Sequence, residues 1–196
     1  MPFCNKYFFL KILDLPWLVY VLIFEEEDEE FSSRVWKTKS KEYIVISSSH
    51  TMMDEHRFVD AASPMNSFQL FIKRSRGHEH RIDHIGDHFY VLTNLGSAKN
   101  FQIMRAPVTQ TETDHWEPVI THRDDVFLEG FELFHDHMVV SERKNGLVEF
   151  RVRPWNGGEH YIEFEDAAYA TRMTSNPEFD TSILRFSYTS LAAPQA

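Results

Sequence analysis

Four histidines, His78, His80, His84 and His88, fall within one short stretch, and imidazoles at that density can hold a metal ion if they converge. On an extended chain His78 and His80 point the same way, as such a site requires. The rest of the pattern argues against it. His78-Glu79 is followed by Ile82 where an HExxH motif needs its second histidine, and the lone cysteine, Cys4, offers no thiolate pair. No metal or cofactor is therefore expected, and these histidines read as a polar loop and strand edge. His122-Arg123-Asp124 has the letters of a kinase catalytic loop, but the Gly-rich loop, the β3 lysine motif and Asp-Phe-Gly that kinase chemistry needs are missing. No glycine flanks a serine as Gly-x-Ser-x-Gly, so an α/β-hydrolase nucleophile has no seat in these residues. The acidic run Glu25 to Glu30 lacks the alternating Asp/Asn and Gly of a calcium loop and reads as a solvated loop.

The elements that would position any such site are strands. Tyr43–Ser47, Glu55–Asp60, Phe68–Ile72, His88–Thr93, Phe101–Arg105, Val126–Leu133, His137–Glu142, Leu147–Arg153, Tyr161–Phe164 and Ile183–Tyr188 are short apolar or alternating runs between polar turns. Asn145-Gly146 marks a hairpin, because both residues tolerate positive φ. Gly157-Gly158 and Ser63-Pro64 punctuate similarly. No stretch keeps a helical apolar period over three turns. Strand starts recur about every ten residues, as in sandwiches, barrels and propellers. Blades of roughly 40 to 45 residues would fit about four times.

Twenty basic residues stand against 30 acidic ones, a formal net charge of -10. A chain that repels phosphates is a poor nucleic-acid binder. With one cysteine no intrachain disulfide can form, which fits a cytoplasmic setting. Tyr7 to Phe24 is largely apolar, but Lys11, Asp14 and Pro16 interrupt it. The uninterrupted part, Trp17 to Phe24, is far short of the ~20 residues a membrane helix needs. A buried strand or two is expected there, and no membrane partner.

Three segments in order carry a resemblance. They are Glu25–Phe31 (EEEDEEF) with Thr38–Ser48 (TKSKEYIVISS), Thr121–Val152 (THRDDVFLEGFELFHDHMVVSERKNGLVEFRV), and Asn176–Leu191 (NPEFDTSILRFSYTSL) with Pro194 close behind. Together they resemble the later part of the propeller in the oligopeptidase B branch of the prolyl oligopeptidase family of serine peptidases. The middle segment is the most specific, and the match runs from about Glu25 to the end.

The resemblance implies an all-β, partial β-propeller, about four blades of a seven-bladed ring of antiparallel sheets. Residues 1–24 form an atypical N-terminal segment and residues 25–196 the propeller part. It further implies a partner α/β-hydrolase catalytic domain holding the serine, aspartate and histidine, so no residue here is assigned a catalytic role. Family members cleave short peptides, and this branch does so after Arg or Lys, which makes short basic peptides the expected substrates of a parent enzyme. The propeller would gate access to the hydrolase domain. Arg123, Asp125, Glu129, Arg143 and Glu178 are the candidates for interdomain or channel contacts. The resemblance also implies that the chain ends, near Ala192-Ala193-Pro194, inside the last blade, as a gene fragment or truncated paralogue would. An open arc of blades leaves strand edges unpaired, so self-association is expected. A propeller-type interaction scaffold with no link to proteolysis is the alternative.

Overall fold

The structure, a computed structural model, describes residues 7–12 and 19–192; Cys4 and Ala193-Pro194 lie outside them. It is all β apart from two short 3-10 turns. Three four-stranded antiparallel sheets follow one another along the chain. The first blade is β3(Ser32–Lys37), β4(Tyr43–His50), β5(Met53–Asp60) and β6(Gln69–Ile72). The second is β7(His80–Ile85), β8(His88–Thr93), β9(Gln102–Pro107) and β10(Glu117–Ile120), and the third is β11(Phe127–Leu133), β12(His137–Lys144), β13(Leu147–Pro154) and β14(His160–Tyr161). A two-stranded hairpin flanks them at each end, β1(Tyr7–Ile12) with β2(Val19–Glu25) and β15(Tyr169–Met173) with β16(Phe186–Ser190). Within each sheet every strand pairs with its sequence neighbour, the meander of a propeller blade.

The side-chain alternation explains why the sheets stack face to face. On β8, Phe89 and Val91 join Val45, Phe58 and Phe71 of the first blade, while Tyr90 and Leu92 join Leu128, Met138 and Val140 of the third. A strand covered on both faces needs apolar residues at successive positions, which is why His88–Thr93 reads as a continuous apolar run. β12 repeats this: Met138 and Val140 face the second blade, and Val139 faces Phe150 and the β15–β16 hairpin through Met173 and Phe186. The β12–β13 turn is Asn145-Gly146, with φ of 51° and 85°, the pair of left-handed residues a two-residue hairpin requires.

Four strands are absent from the sequence reading. β3 (SSRVWK) and β7 (HRIDHI) carry polar residues because they border a cavity. β10 contains Pro118, tolerated because it is an outer strand with one unpaired edge. β15 (YATRM) has only two apolar side chains of any size. At the other end of the chain, Tyr161–Phe164 is strand only as far as Tyr161, and the last strand starts at Phe186, not Ile183.

Two expectations need correction. The N-terminal segment does form two strands, but it is not buried. Tyr7, Phe9, Tyr20 and Leu22 are about half exposed, because a two-stranded sheet leaves one apolar face uncovered. The acidic run is not wholly solvated either: Glu26 is buried and bound by Arg74 at 3.0 Å, whose guanidinium lies 4.0 Å over the Phe31 ring. Burial raises the Glu26 pKa, but hydrogen bonds from Ser48 and Arg74 outweigh it, and the carboxyl sits below its ordinary value.

Candidate functional site

The first strands of the three blades enclose the main cavity. It holds about 710 Å3 and is bordered by residues 32–34 at the start of β3, 79–81 at the start of β7 and 127–129 at the start of β11. A second cavity of about 310 Å3 shares Arg34, His56, Arg81 and Leu92 with it and reaches Trp36, Asp83 and Phe131, further along the same strands. Concave surfaces at the junction of several elements are where ligands usually bind.

Beyond the far ends of these strands Lys39 stitches the blades together. Its ammonium contacts the Glu132 carboxylate and the Asn176 carbonyl oxygen and lies 4.5 Å from the centre of the Phe134 ring. Its backbone N–H donates to Asp83 Oδ1 at 2.8 Å. One loop of the first blade thus holds the second blade, the third blade and the segment leading to β16. Burial pushes the Asp83 carboxyl up to about 6, against the pull of the Lys39 and His84 N–H groups.

Of the four clustered histidines, His78, His80 and His84 are interior groups and not a polar surface, while His88 is half-buried. His80 and His84 are fully buried, and His56 and His78 nearly so. The His78 ring stacks on His80 at 4.8 Å, and His56 meets His80 edge-on at 4.8 Å. A relay of hydrogen bonds fixes His56. Trp36 Nε1–H donates to Ser47 Oγ at 2.8 Å, Ser47 Oγ lies 2.8 Å from His56 Nδ1, and His56 Nε2 lies 3.0 Å from the His80 carbonyl oxygen. A carbonyl only accepts, so Nε2 carries the proton, and in the neutral ring Nδ1 accepts from Ser47. Both nitrogens of His80 lack a hydrogen-bond partner among the described residues. Among the described residues no three His, Cys, Asp or Glu side chains are arranged to hold a metal ion.

Burial lowers the pKa of the His56, His78, His80 and His84 rings, to about 4 for His84 and well below the ordinary value for His80. Below about pH 6.5 the unfolded chain then binds more protons than the folded one, so stability from these rings is lost as pH falls from 6.5 towards their folded values. Asp83 acts oppositely. Its raised pKa costs stability above about 6, a cost relieved as pH falls towards its unfolded value of 3.8. His80→Phe keeps a buried ring and removes one protonation site. Between pH 7 and 5 it should therefore lose fewer degrees of melting temperature than the unmodified chain, by roughly 2–4 °C per kcal/mol spared. Parallel melting curves for the two proteins would contradict this.

The five predicted contact residues divide. Glu129 borders the main cavity. It sits at a β-bulge, where Leu128 pairs with Glu142 and Gly130 with Ser141, and the extra residue turns its carboxylate to Arg143 Nε at 2.7 Å. Arg123 and Asp125 form a two-pronged exposed pair, 3.0 and 2.6 Å, in the loop before β11. Glu178 pairs with Arg185 at 2.6 Å, also exposed. The structure therefore joins Glu129 with Arg143 and Arg123 with Asp125, and leaves Glu178 apart from both. Arg34, Arg81 and Lys39 were missed. For Arg34 and Arg81 the only sequence signal is a basic residue interrupting a β-like run, and Lys39 lies in a turn.

Comparison with known proteins gives a consistent result. Residues 20–196 match the family model described as prolyl oligopeptidase, N-terminal beta-propeller domain. Dipeptidyl aminopeptidase BI from Pseudoxanthomonas mexicana is 39% identical over 93% of this chain, and Protease 2 from Moraxella lacunata is 29% identical over 89%. The match spans 25% of each relative's length. Oligopeptidase B from Leishmania major superposes with a TM-score of 0.83 at 23% identity, over 90% of this chain and 26% of that one. Oligopeptidase B from Trypanosoma brucei, with covalently bound antipain, gives 0.84 at 21% over the same shares.

Proposed function

This chain belongs to the prolyl oligopeptidase family through its N-terminal β-propeller domain, and on that premise we propose that it is a non-catalytic gating and docking element of an oligopeptidase B-like serine endopeptidase. The observation that carries this reading is the cavity bordered by the first strands of three successive blades, β3, β7 and β11. In a closed ring of blades such a face would line a channel that admits an extended peptide and excludes a folded domain. Short peptides, cut after Arg or Lys, are the proposed substrates of the assembled enzyme, and the cytoplasm its location. The catalytic serine, histidine and aspartate belong in this reading to an α/β-hydrolase domain. Arg123, Asp125, Arg143 and Glu178 are exposed charges suited to meeting it, and Glu129 faces the channel.

Exposed pairs are weak within one chain but steer and orient a partner. The test is sedimentation of the purified chain with a separately expressed α/β-hydrolase domain of a family member. A complex is expected, weakened about tenfold by Arg123→Gln with Asp125→Asn, a change that leaves net charge untouched. Absence of a complex at any concentration reached would overturn the docking role. The same run, on the chain alone, reads self-association through the β1–β2 and β15–β16 hairpins. Mass rising with concentration is expected, because Tyr7, Phe9, Tyr20 and Leu22 expose an apolar face beside an open edge.

A further inference from the structure

Charges of both signs border the main cavity. Of its three carboxylates one is paired with a cation, and the other two accept hydrogen bonds from neutral N–H groups and keep their charge. Asp54 Oδ2 accepts the His80 backbone N–H at 3.1 Å, Glu79 Oε1 accepts from Asn94 Nδ2 at 3.4 Å, and Glu129 is held by Arg143. The two guanidiniums that border it make only long, uncharged contacts. Arg81 donates to the Glu129 carbonyl oxygen at 3.5 Å, and Arg34 lies 6.0 Å from the centre of the Trp36 ring. Both residues are exposed, and no ion pair within 4 Å joins either to a carboxylate among the described residues. Both border the second cavity as well, so they stand where the two cavities join.

Guanidinium groups present a planar fork of donors that fits a carboxylate, and contact with an aromatic face limits the motion of such a fork. The hydroxyl-bearing residues Ser49 and Thr51 border the same space and add donors. The molecule as a whole carries a net charge of -10, which disfavours a polyanion such as a nucleic acid and leaves a singly charged group as the better guest.

We propose that Arg34 and Arg81, on the first strands of adjacent blades, form a subsite in the cavity for the carboxylate of a peptide. The subsite adds a ligand group to the channel face and does not depend on a hydrolase domain, so its failure and the failure of the docking role are read in different experiments.

The test is NMR or calorimetric titration of the 196-residue chain with three probes: acetyl-tetra-alanine as free acid, the same peptide as its C-terminal amide, and acetyl-Ala-Glu-Ala-Ala amide. The free acid should bind about tenfold more tightly than the amide, the scale of one charge-assisted hydrogen bond. Arg34→Gln and Arg81→Gln should each remove most of that preference with the melting temperature unchanged. Binding of the glutamyl amide on a par with the free acid assigns the subsite to any peptide carboxylate, and binding at the level of the plain amide assigns it to the chain terminus. Equal affinity for free acid and amide, no binding of any probe, or a preference that survives both substitutions would overturn the proposal.

Discussion

Replacing Phe89 by Ala should destabilise the chain by about 3–5 kcal/mol, the range for removing a buried aromatic ring from a core. Phe89 is fully buried on the central strand β8. Its ring lies 4.8 Å from Phe58, 5.3 Å from Phe71, 5.3 Å from Tyr43 and 5.1 Å from His84. Three of those four partners belong to the first blade and one to the second. The cavity left by truncation therefore opens in the seam between blades, where side chains from two separate sheets would both have to move to close it. With total stability of domains this size near 5–15 kcal/mol, the loss is a large share. Urea unfolding should show a lower midpoint with an unchanged slope if the blades unfold as one unit. Val35→Ala, at a side chain that is nearly half exposed, should stay within about 0.5 kcal/mol. Two separate transitions in the Phe89 variant would mean that the seam does not couple the blades.

The second large effect is expected at Lys39. Lys39→Met keeps most of the stem and removes the ammonium that the Glu132 carboxylate, the Asn176 carbonyl and the Phe134 ring share. Breaking a buried ion pair costs about 3–5 kcal/mol, because the remaining charge is left without compensation. Glu132 is 26% exposed and retains some water, so the lower end, roughly 3 kcal/mol, is expected here. The backbone bond from Lys39 to Asp83 survives the substitution, but Asp83 loses a nearby positive charge that lowers its pKa. Its carboxyl should then titrate higher still. Adding Glu132→Gln should restore much of the loss, since the orphaned charge is gone, and the double-mutant cycle should be strongly non-additive. A Lys39→Met protein as stable as the unmodified one would show that the lysine does not tie the blades together.

What the sequence disclosed depended on how each segment is buried. Strands enclosed on both faces, such as His88–Thr93 and His137–Lys144, carry apolar residues at consecutive positions and stand out at once. The Asn145-Gly146 turn is equally plain, because its two positive φ angles restrict the residues that can occupy it. The strands nearest the cavity were harder to see. β3 and β7 place Arg34, Arg81 and Asp83 beside open space, and that polarity mimics a loop. The histidines misled for a related reason. Polar in composition, His78 and His80 are interior in fact, since their flat rings stack on one another and His80 on Phe71. Nothing local in the sequence says that Lys39, in a turn with Ser40 and Lys41, contacts residues about 93 and 137 positions away. The pairing of Glu129 with Arg143 could have been anticipated only by knowing that β11 is bulged.

The most direct measurement is hydrolysis of an Arg-containing chromogenic dipeptide by the purified 196-residue chain, with and without a serine-directed fluorophosphonate, while mass spectrometry looks for a covalent adduct. The account predicts no turnover and no adduct, because the chain supplies propeller blades and leaves bond cleavage to a hydrolase domain. Turnover that the fluorophosphonate abolishes, together with an adduct on a serine of this chain, would contradict it.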